Sequence, residues 1–316
     1  MIAETPAAGR RLPAWAMLLL LGIGLAGCAP GQPVEQIPQS GDRLERTNRV
    51  ALVAFQHGRY AQAAALYRQV VDLAYERDDV SAAVDAQYNV AVCLVRLDQI
   101  DEADRLLQRT KAELVRADQA EPVELRLLEA TILYRQQRYQ EAWALSEEII
   151  SMHPGSQAAH RAQFLRGLIA ADQSDAARLQ AAIAELGTSS DERLEADRLE
   201  LAGHLALLEE RYDASIADFS EAARLRSAAS DYRGTVRALA KAGDASEAAG
   251  LLSQASVHYL RAGRSALHQG ARERARQLLT RARTLADQAG DAETVREAQL
   301  YLTLLEESEP EPASGS

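Results

Sequence analysis

The sequence is short of nearly everything that catalytic and disulfide-built proteins concentrate. Two cysteines in 316 residues, Cys28 and Cys93, exclude a disulfide framework. There is no G-x-S-x-G elbow, H-E-x-x-H pair, G-x-x-x-x-G-K loop or Cys-x-x-Cys, so the commonest hydrolase, zinc-protease, phosphate-binding and redox signatures are missing. The six histidines (His57, His153, His160, His204, His258, His268) are scattered, and Pro154-Gly155 separates the one close pair. Neither a metal site nor a cofactor is expected from such spacing. Glu147-Glu148, Glu209-Glu210 and Glu306-Glu307 are adjacent, so on a helix their side chains diverge by about 100° and read as solvated faces. Proline occurs only at 122 and 154 between Leu44 and Glu307, and strand-type alternation is absent. Basic residues are outnumbered 46 to 35, and Lys111 and Lys241 are the only lysines. A net charge of −11 gives no long-range pull on nucleic acid or anionic lipid.

What is present is one short pattern that keeps returning. Tyr60-x-x-Ala63-x-x-x-Tyr67 reappears as Ile100-x-x-Ala103-x-x-x-Leu107, Tyr139-x-x-Ala142, Tyr212-x-x-Ser215-x-x-x-Phe219 and Leu252-x-x-Ala255-x-x-x-Tyr259. The anchors follow one another at about 40 residues, with room for two units between Ala142 and Ser215; such a period in helical sequence marks an α-solenoid. Turn residues divide the chain further: Gly58, Asp98-Gln99, Gln136-Gln137, His153-Pro154-Gly155, Gly187, Gly250, Gly270 and Gly290. The expected fold is all-α, with about seven antiparallel helix pairs over residues 44–307. Twelve residues before each anchor sits Ala51, Ala91, Ala130, Gly203 or Gly243. Two helices approach within ~8–10 Å only where a small side chain faces the partner. Cys93 lies in an apolar helical run and reads as a buried small hydrophobe.

This constellation resembles the tetratricopeptide repeat family, whose helix A carries the small residue and helix B the alanine; Pro154 matches the family's closing proline. The resemblance covers roughly residues 44–269 and is good in five units. No unit has the aromatic that often opens helix A, and 167–186 fits poorly. The resemblance implies a right-handed superhelix, with the pair at about 271–289 and 292–307 as a terminal cap.

The ends carry different signals. Arg10-Arg11, an apolar run from Ala14 to Leu25 and then Leu25-Ala26-Gly27-Cys28 resemble the signal peptide and lipobox of bacterial lipoproteins. The resemblance implies a signal peptide at 1–27 and lipid on Cys28. With Ala29-Pro30 following, it implies the periplasmic face of the outer membrane. Residues 28–43, rich in proline and glutamine, are expected to be a disordered tether, and 308–316 a disordered acidic tail.

Function is then sought in the solenoid's concavity, where the family's A helices line a groove for peptides. Counting from the small residues places Asn48, Leu52 and Phe55 there, then Tyr88, Asn89, Val92 and Arg96. Leu127, Thr131, Tyr134 and Arg135 follow, then Phe164, Leu168, His204 and Leu207. Tyrosine and phenylalanine with arginine nearby suit a peptide hot spot; the competing reading is that half of them pack between neighbouring helices, since periodicity does not separate two buried faces. Asn48 and Leu52 occupy the places where some relatives carry the lysine and asparagine of a carboxylate clamp, so that clamp is not expected. The reading is a non-catalytic, lipid-anchored scaffold or adaptor for an envelope protein or peptide. In plan it resembles barrel-assembly subunits, pilotins and scaffolds of peptidoglycan enzymes. The competing readings are a homo-oligomer whose groove is filled by a sister subunit, and an envelope enzyme with an unrecognised site.

Overall fold

The computed structural model describes residues 39–307. The apolar leader, Cys28, most of the expected tether and the tail from Ser308 lie outside the described residues. Among the described residues there are fourteen α-helices and no strand. They are α1 (Gln39–Gln56), α2 (Tyr60–Tyr75), α3 (Val80–Arg96), α4 (Ile100–Arg116), α5 (Val123–Arg135), α6 (Tyr139–Met152) and α7 (Gln157–Asp172). After them come α8 (Ala176–Leu186), α9 (Glu192–Leu208), α10 (Tyr212–Ala228), α11 (Tyr232–Ala248), α12 (Leu252–His268), α13 (Arg272–Ala289) and α14 (Ala292–Glu307). No described helix is long and apolar enough to cross a membrane. The first helix begins at Gln39, inside the segment expected to be tether through residue 43. No proline follows Pro38 until Pro122, and Glu45 and Arg49 form an i,i+4 pair at 3.8 Å along the helix.

The repeated pattern turns out to be the opening of each B helix. Tyr60, Ile100, Tyr139, Tyr212 and Leu252 are the first residues of α2, α4, α6, α10 and α12. Each follows a turn residue with positive φ: Gly58, Asp98, Gln137, Glu210 and Gly250. At Asp98, for example, the left-handed turn lets the next amide, that of Gln99, reach back to the Leu94 carbonyl, 2.9 Å. Helices that open a pair rely more on side-chain caps: Asp79, Ser156, Asp191 and Asp231 each accept from a first-turn amide of α3, α7, α9 and α11.

The contact inside each pair is as tight as the small residues require. Ala51, Ala63, Ala91, Ala103, Ala130, Ala142 and Ala255 are essentially without exposed surface. A Cβ on Gly243 would lie 2.9 Å from the Tyr259 ring, and one on Gly203 would lie 3.0 Å from Phe219. Ser215 stands where other pairs have alanine because its hydroxyl donates to the Gly203 carbonyl, 2.8 Å. The unit that fits the pattern poorly departs here: a Cβ on Gly167 would strike Leu201 of the following pair, at 2.2 Å, instead of its own partner helix. Its second helix, α8, is the shortest, with 11 residues. Cys93 is fully buried, and burial pushes its thiol up to about 12.

The stack curls far enough to bring the turn after the sixth pair against the first pair. Gln269, between α12 and α13, packs against Gly58, between α1 and α2: a Cβ there would lie 3.8 Å from Gln269 Cα. The side chain of Gln269 also donates to the Tyr232 carbonyl at the start of α11, 3.0 Å. The start of α11 thereby faces the first pair.

Overpacking a closed helix contact typically costs ~1–3 kcal/mol. Ala103→Leu and Ala142→Leu are therefore expected to lower the urea midpoint clearly, while exposed Glu147→Ala changes stability by less than ~0.5 kcal/mol. Equal midpoints for the three variants in chemical denaturation would contradict this helix register.

Candidate functional site

Residues far apart in sequence come together where Arg233 of α11 meets Tyr60 and lies near Arg96 and Arg135. From the first three pairs come Phe55 and Tyr60, edge to face with centroids 5.3 Å apart, then Tyr88, Arg96, Tyr134 and Arg135. Phe55, Tyr88 and Tyr134 are half-buried against the apolar cores of their own pairs. Burial raises the Tyr88 hydroxyl, and the charges of Arg161 and Arg96 act on it in the opposite direction. The Tyr134 hydroxyl donates to Asp172 of α7, 2.8 Å, and is raised by burial first and that carboxylate second. Arg135 pairs with Asp98 at 2.5 Å.

Of the remaining expected groove residues, Asn48 and Leu52 are exposed on α1, with Leu52 47% exposed. Asn89 is half-buried on α3, and the Thr131 hydroxyl is tied to the Leu127 carbonyl of its own helix, 2.9 Å. Phe164 lies beneath two guanidinium groups, those of Arg226 at 5.6 Å and Arg237 at 5.7 Å. His204 stands edge to face against Phe219 of its partner helix, 5.0 Å. Burial lowers His204 to about 4, against the pull of the Glu200 charge, and it is neutral near pH 7.

Sequence reasoning missed the other wall. Arg233, Arg237 and Lys241 stand at four-residue steps on α11, so they share one helix face. Arg233 lies over the Tyr60 ring, 5.3 Å from its centroid. Arg237 reaches across to Glu200 of α9, its Nε and Nη2 both donating to that carboxylate, the second at 2.9 Å. Lys241 pairs with Asp244 at 3.1 Å and is close enough for its charge to act on His204. The signal was available in the sequence as three cations in register, including one of only two lysines, in an acidic chain.

Glu200 holds this wall in place. It has no exposed surface and also accepts from Arg226 at 2.6 Å. Arg226 in turn donates to Asp197 (2.7 Å) and Asp231 (2.9 Å), so the knot joins α9, α10 and the α11 cap. Burial alone would raise the Glu200 carboxyl; the charges of Arg237 and Arg226 outweigh it and hold the group at about 2. Between α2, α3 and α4 a shallow cleft of about 340 Å³ is lined by Tyr75, Gln87, Arg109 and Glu113 among others. Its polar groups satisfy one another: Thr110 donates to Gln87, Gln87 to Tyr75 and Tyr75 to Glu113, at 2.6–2.8 Å. Among the described residues no group of three or more His, Cys, Asp or Glu is placed to hold a metal ion.

Residues 85–113 match the family model described as tetratricopeptide repeat. The fold is similar to the Signal Transduction ATPase with Numerous Domains protein with a tetratricopeptide repeat sensor from Pyrococcus horikoshii. The TM-score is 0.50 at 15% identity, over 84% of this chain and 42% of that one. It is also similar to a Rap protein complexed with Competence and Sporulation Factor, with a TM-score of 0.50 at 11% identity over 84% and 98% of the two chains. A tetratricopeptide repeat protein from Parabacteroides merdae matches at 15% identity and a TM-score of 0.43, over 85% and 99% of the two chains. Comparison with curated proteins yields no match. The described residues thus form an all-α solenoid of the tetratricopeptide type.

Glu200 generates a pH prediction. Its folded pKa lies below the ordinary 4.5, so its contribution is present above that value and is lost as pH falls toward 2. Glu200→Gln leaves two arginines without their shared counter-charge, at a cost of ~3–5 kcal/mol near neutrality. Urea denaturation from pH 7 to pH 3 is expected to show the gap between variant and wild type narrowing below about pH 4.5, in line with this linkage. Parallel curves would contradict the assignment.

Proposed function

We propose that this protein is a non-catalytic scaffold of the cell envelope that takes a protein or peptide partner in its concave groove. One observation carries the reading. Cations on one face of α11 stand opposite half-buried tyrosines, with Arg96 and Arg135, from the first three pairs, and Arg233 over Tyr60 bridges the two. Aromatic and arginine side chains on opposed rigid helices are what interface hot spots are made of. The Rap neighbour is a solenoid captured with a bound factor, in keeping with such use of the fold. Anchoring through lipid on Cys28 is part of the proposal, supported by Leu25-Ala26-Gly27-Cys28 directly after an apolar run. Two or more acyl chains there would hold the protein stably at a membrane surface. Ala29-Pro30 after the cysteine favours the periplasmic face of an outer membrane.

The test places a photo-crosslinking amino acid at Tyr88 or Lys241 in the groove, and at Arg105 or Glu147 on exposed faces of α4 and α6, in the native host. Adducts with a defined partner are expected from the groove positions alone. Adducts from the exposed faces only would overturn the groove assignment, and adducts of twice the protein's own mass would identify a homo-oligomer. In parallel, Cys28→Ala is expected to abolish incorporation of labelled fatty acid; label persisting on that variant would sink the anchoring claim.

A further inference from the structure

The meeting of the first pair with the sixth leaves a local charge that the fold itself does not require. Arg233 sits in the first turn of α11, where the helix dipole is positive and a cation is unfavourable. Its neighbours are Arg96, in the last turn of α3, and Arg135, in the last turn of α5. The one carboxylate at hand, Asp98, is committed to Arg135 at 2.5 Å. Neither Arg96 nor Arg233 has an ion-pair or hydrogen-bond partner among the described residues. Burial first, then the charges of Arg96 and Arg135, hold the Arg233 guanidinium below its ordinary range.

The same structure shows what a structural arginine looks like. Arg226, at the far end of the previous helix, is surrounded by Glu200, Asp197 and Asp231. Arg233 has no such company, in a protein whose net charge is −11. Three guanidinium groups against one carboxylate, on three separate A helices and over an aromatic ring, form a preorganised receptor for an anion. The half-buried tyrosines of the groove, Tyr88 and Tyr134, continue from this point along the A helices. An occupant therefore meets a charge at one end and aromatic surface beyond it, which suits a peptide better than an isolated ion.

We propose that Arg96, Arg135 and Arg233 bind a carboxylate side chain of an acidic peptide lying in the groove, with the charge seated beside Tyr60. The site is assembled from the second, third and sixth helix pairs, so it exists only when the solenoid is curled. The inference rests on the groove reading above and names the partner's chemistry.

The test uses the full chain and a capped hexaglutamate peptide, titrated calorimetrically at low and high salt, with inorganic phosphate as a second probe. Hexaglutamate is expected to bind, more weakly as salt rises. Arg233→Gln and Arg96→Gln are each expected to reduce its affinity at least about tenfold, the loss of one charge-assisted contact. Exposed Arg105→Gln is expected to change nothing. Because Arg233 is desolvated and repelled, Arg233→Gln should melt no lower than wild type without ligand. No hexaglutamate binding at low salt, or binding indifferent to both arginine variants, would overturn the proposal. Phosphate binding that hexaglutamate does not displace would overturn it in favour of a free-anion site. The two readings fail separately. A partner crosslinked in the groove but bound normally by Arg233→Gln removes the anion site and leaves the groove. Hexaglutamate bound through Arg233, with partner adducts only from exposed faces, does the reverse.

Discussion

Everything in this solenoid depends on how closely two helices of a pair can approach. Alanine or glycine at the crossing lets the backbones come together, and the large residue one turn further along helix B then fills the space beside it, as Tyr259 does at Gly243. Because each contact fixes one pair and its neighbour, the apolar core is divided among several clusters instead of forming one mass. Small rotations from pair to pair then add up along the stack. The sum brings Gln269 against Gly58 and sets the α11 cations opposite the tyrosines of the first pairs.

The middle of the stack is held differently from its ends. The two large apolar clusters lie at 51–132 and 222–305, while the pairs between them have small ones. There, cations and aromatic rings take over: Arg166 at 4.3 Å and Arg178 at 4.9 Å lie over the Trp143 ring, and Arg226 and Arg237 over Phe164. The buried Glu200 ties the last two arginines together. Such a knot contributes less net stability than apolar packing would, but its hydrogen-bond geometry fixes direction. It fixes Arg237 against α9, on the α11 face that also carries Arg233 and Lys241. Stability in the middle of the molecule and the placement of the α11 cations therefore depend on the same residues.

The pairwise level of this structure was legible in the sequence because it is local. The five pattern openings are the first residues of five B helices, and the small residues meet their partners as spacing implied. Turns marked by glycine were also visible, whereas Asp78, Asp118, Ser174, Glu210 and Ser230 adopt positive φ without that marker, and only the fold reveals them. Curvature was not legible, since it is a sum over many contacts and no residue encodes it. That is why the groove track stopped at Leu207, in α9, and omitted α11. Glu200 was a missed clue of another kind: it occupies the position that Tyr88, Leu127 and Phe164 hold in other pairs, three residues before the small one. A carboxylate on that face needed buried cations nearby, and two arginines supply them.

The central claim is that the turn after the sixth pair meets the first pair, and a distance answers it most directly. His57 and His268 are exposed and flank Gly58 and Gln269, so both can be replaced by cysteine and spin-labelled, with Cys28 changed to serine. Cys93 is fully buried with its thiol pushed up to about 12, and it stays unlabelled. Pulsed electron-electron resonance is expected to give a single short distance, within about two label lengths of the backbone contact. Six pairs stacked at about 8–10 Å per layer without closure would separate the labels by roughly 50 Å. A distribution centred there would contradict the account, and with it the groove built from α11.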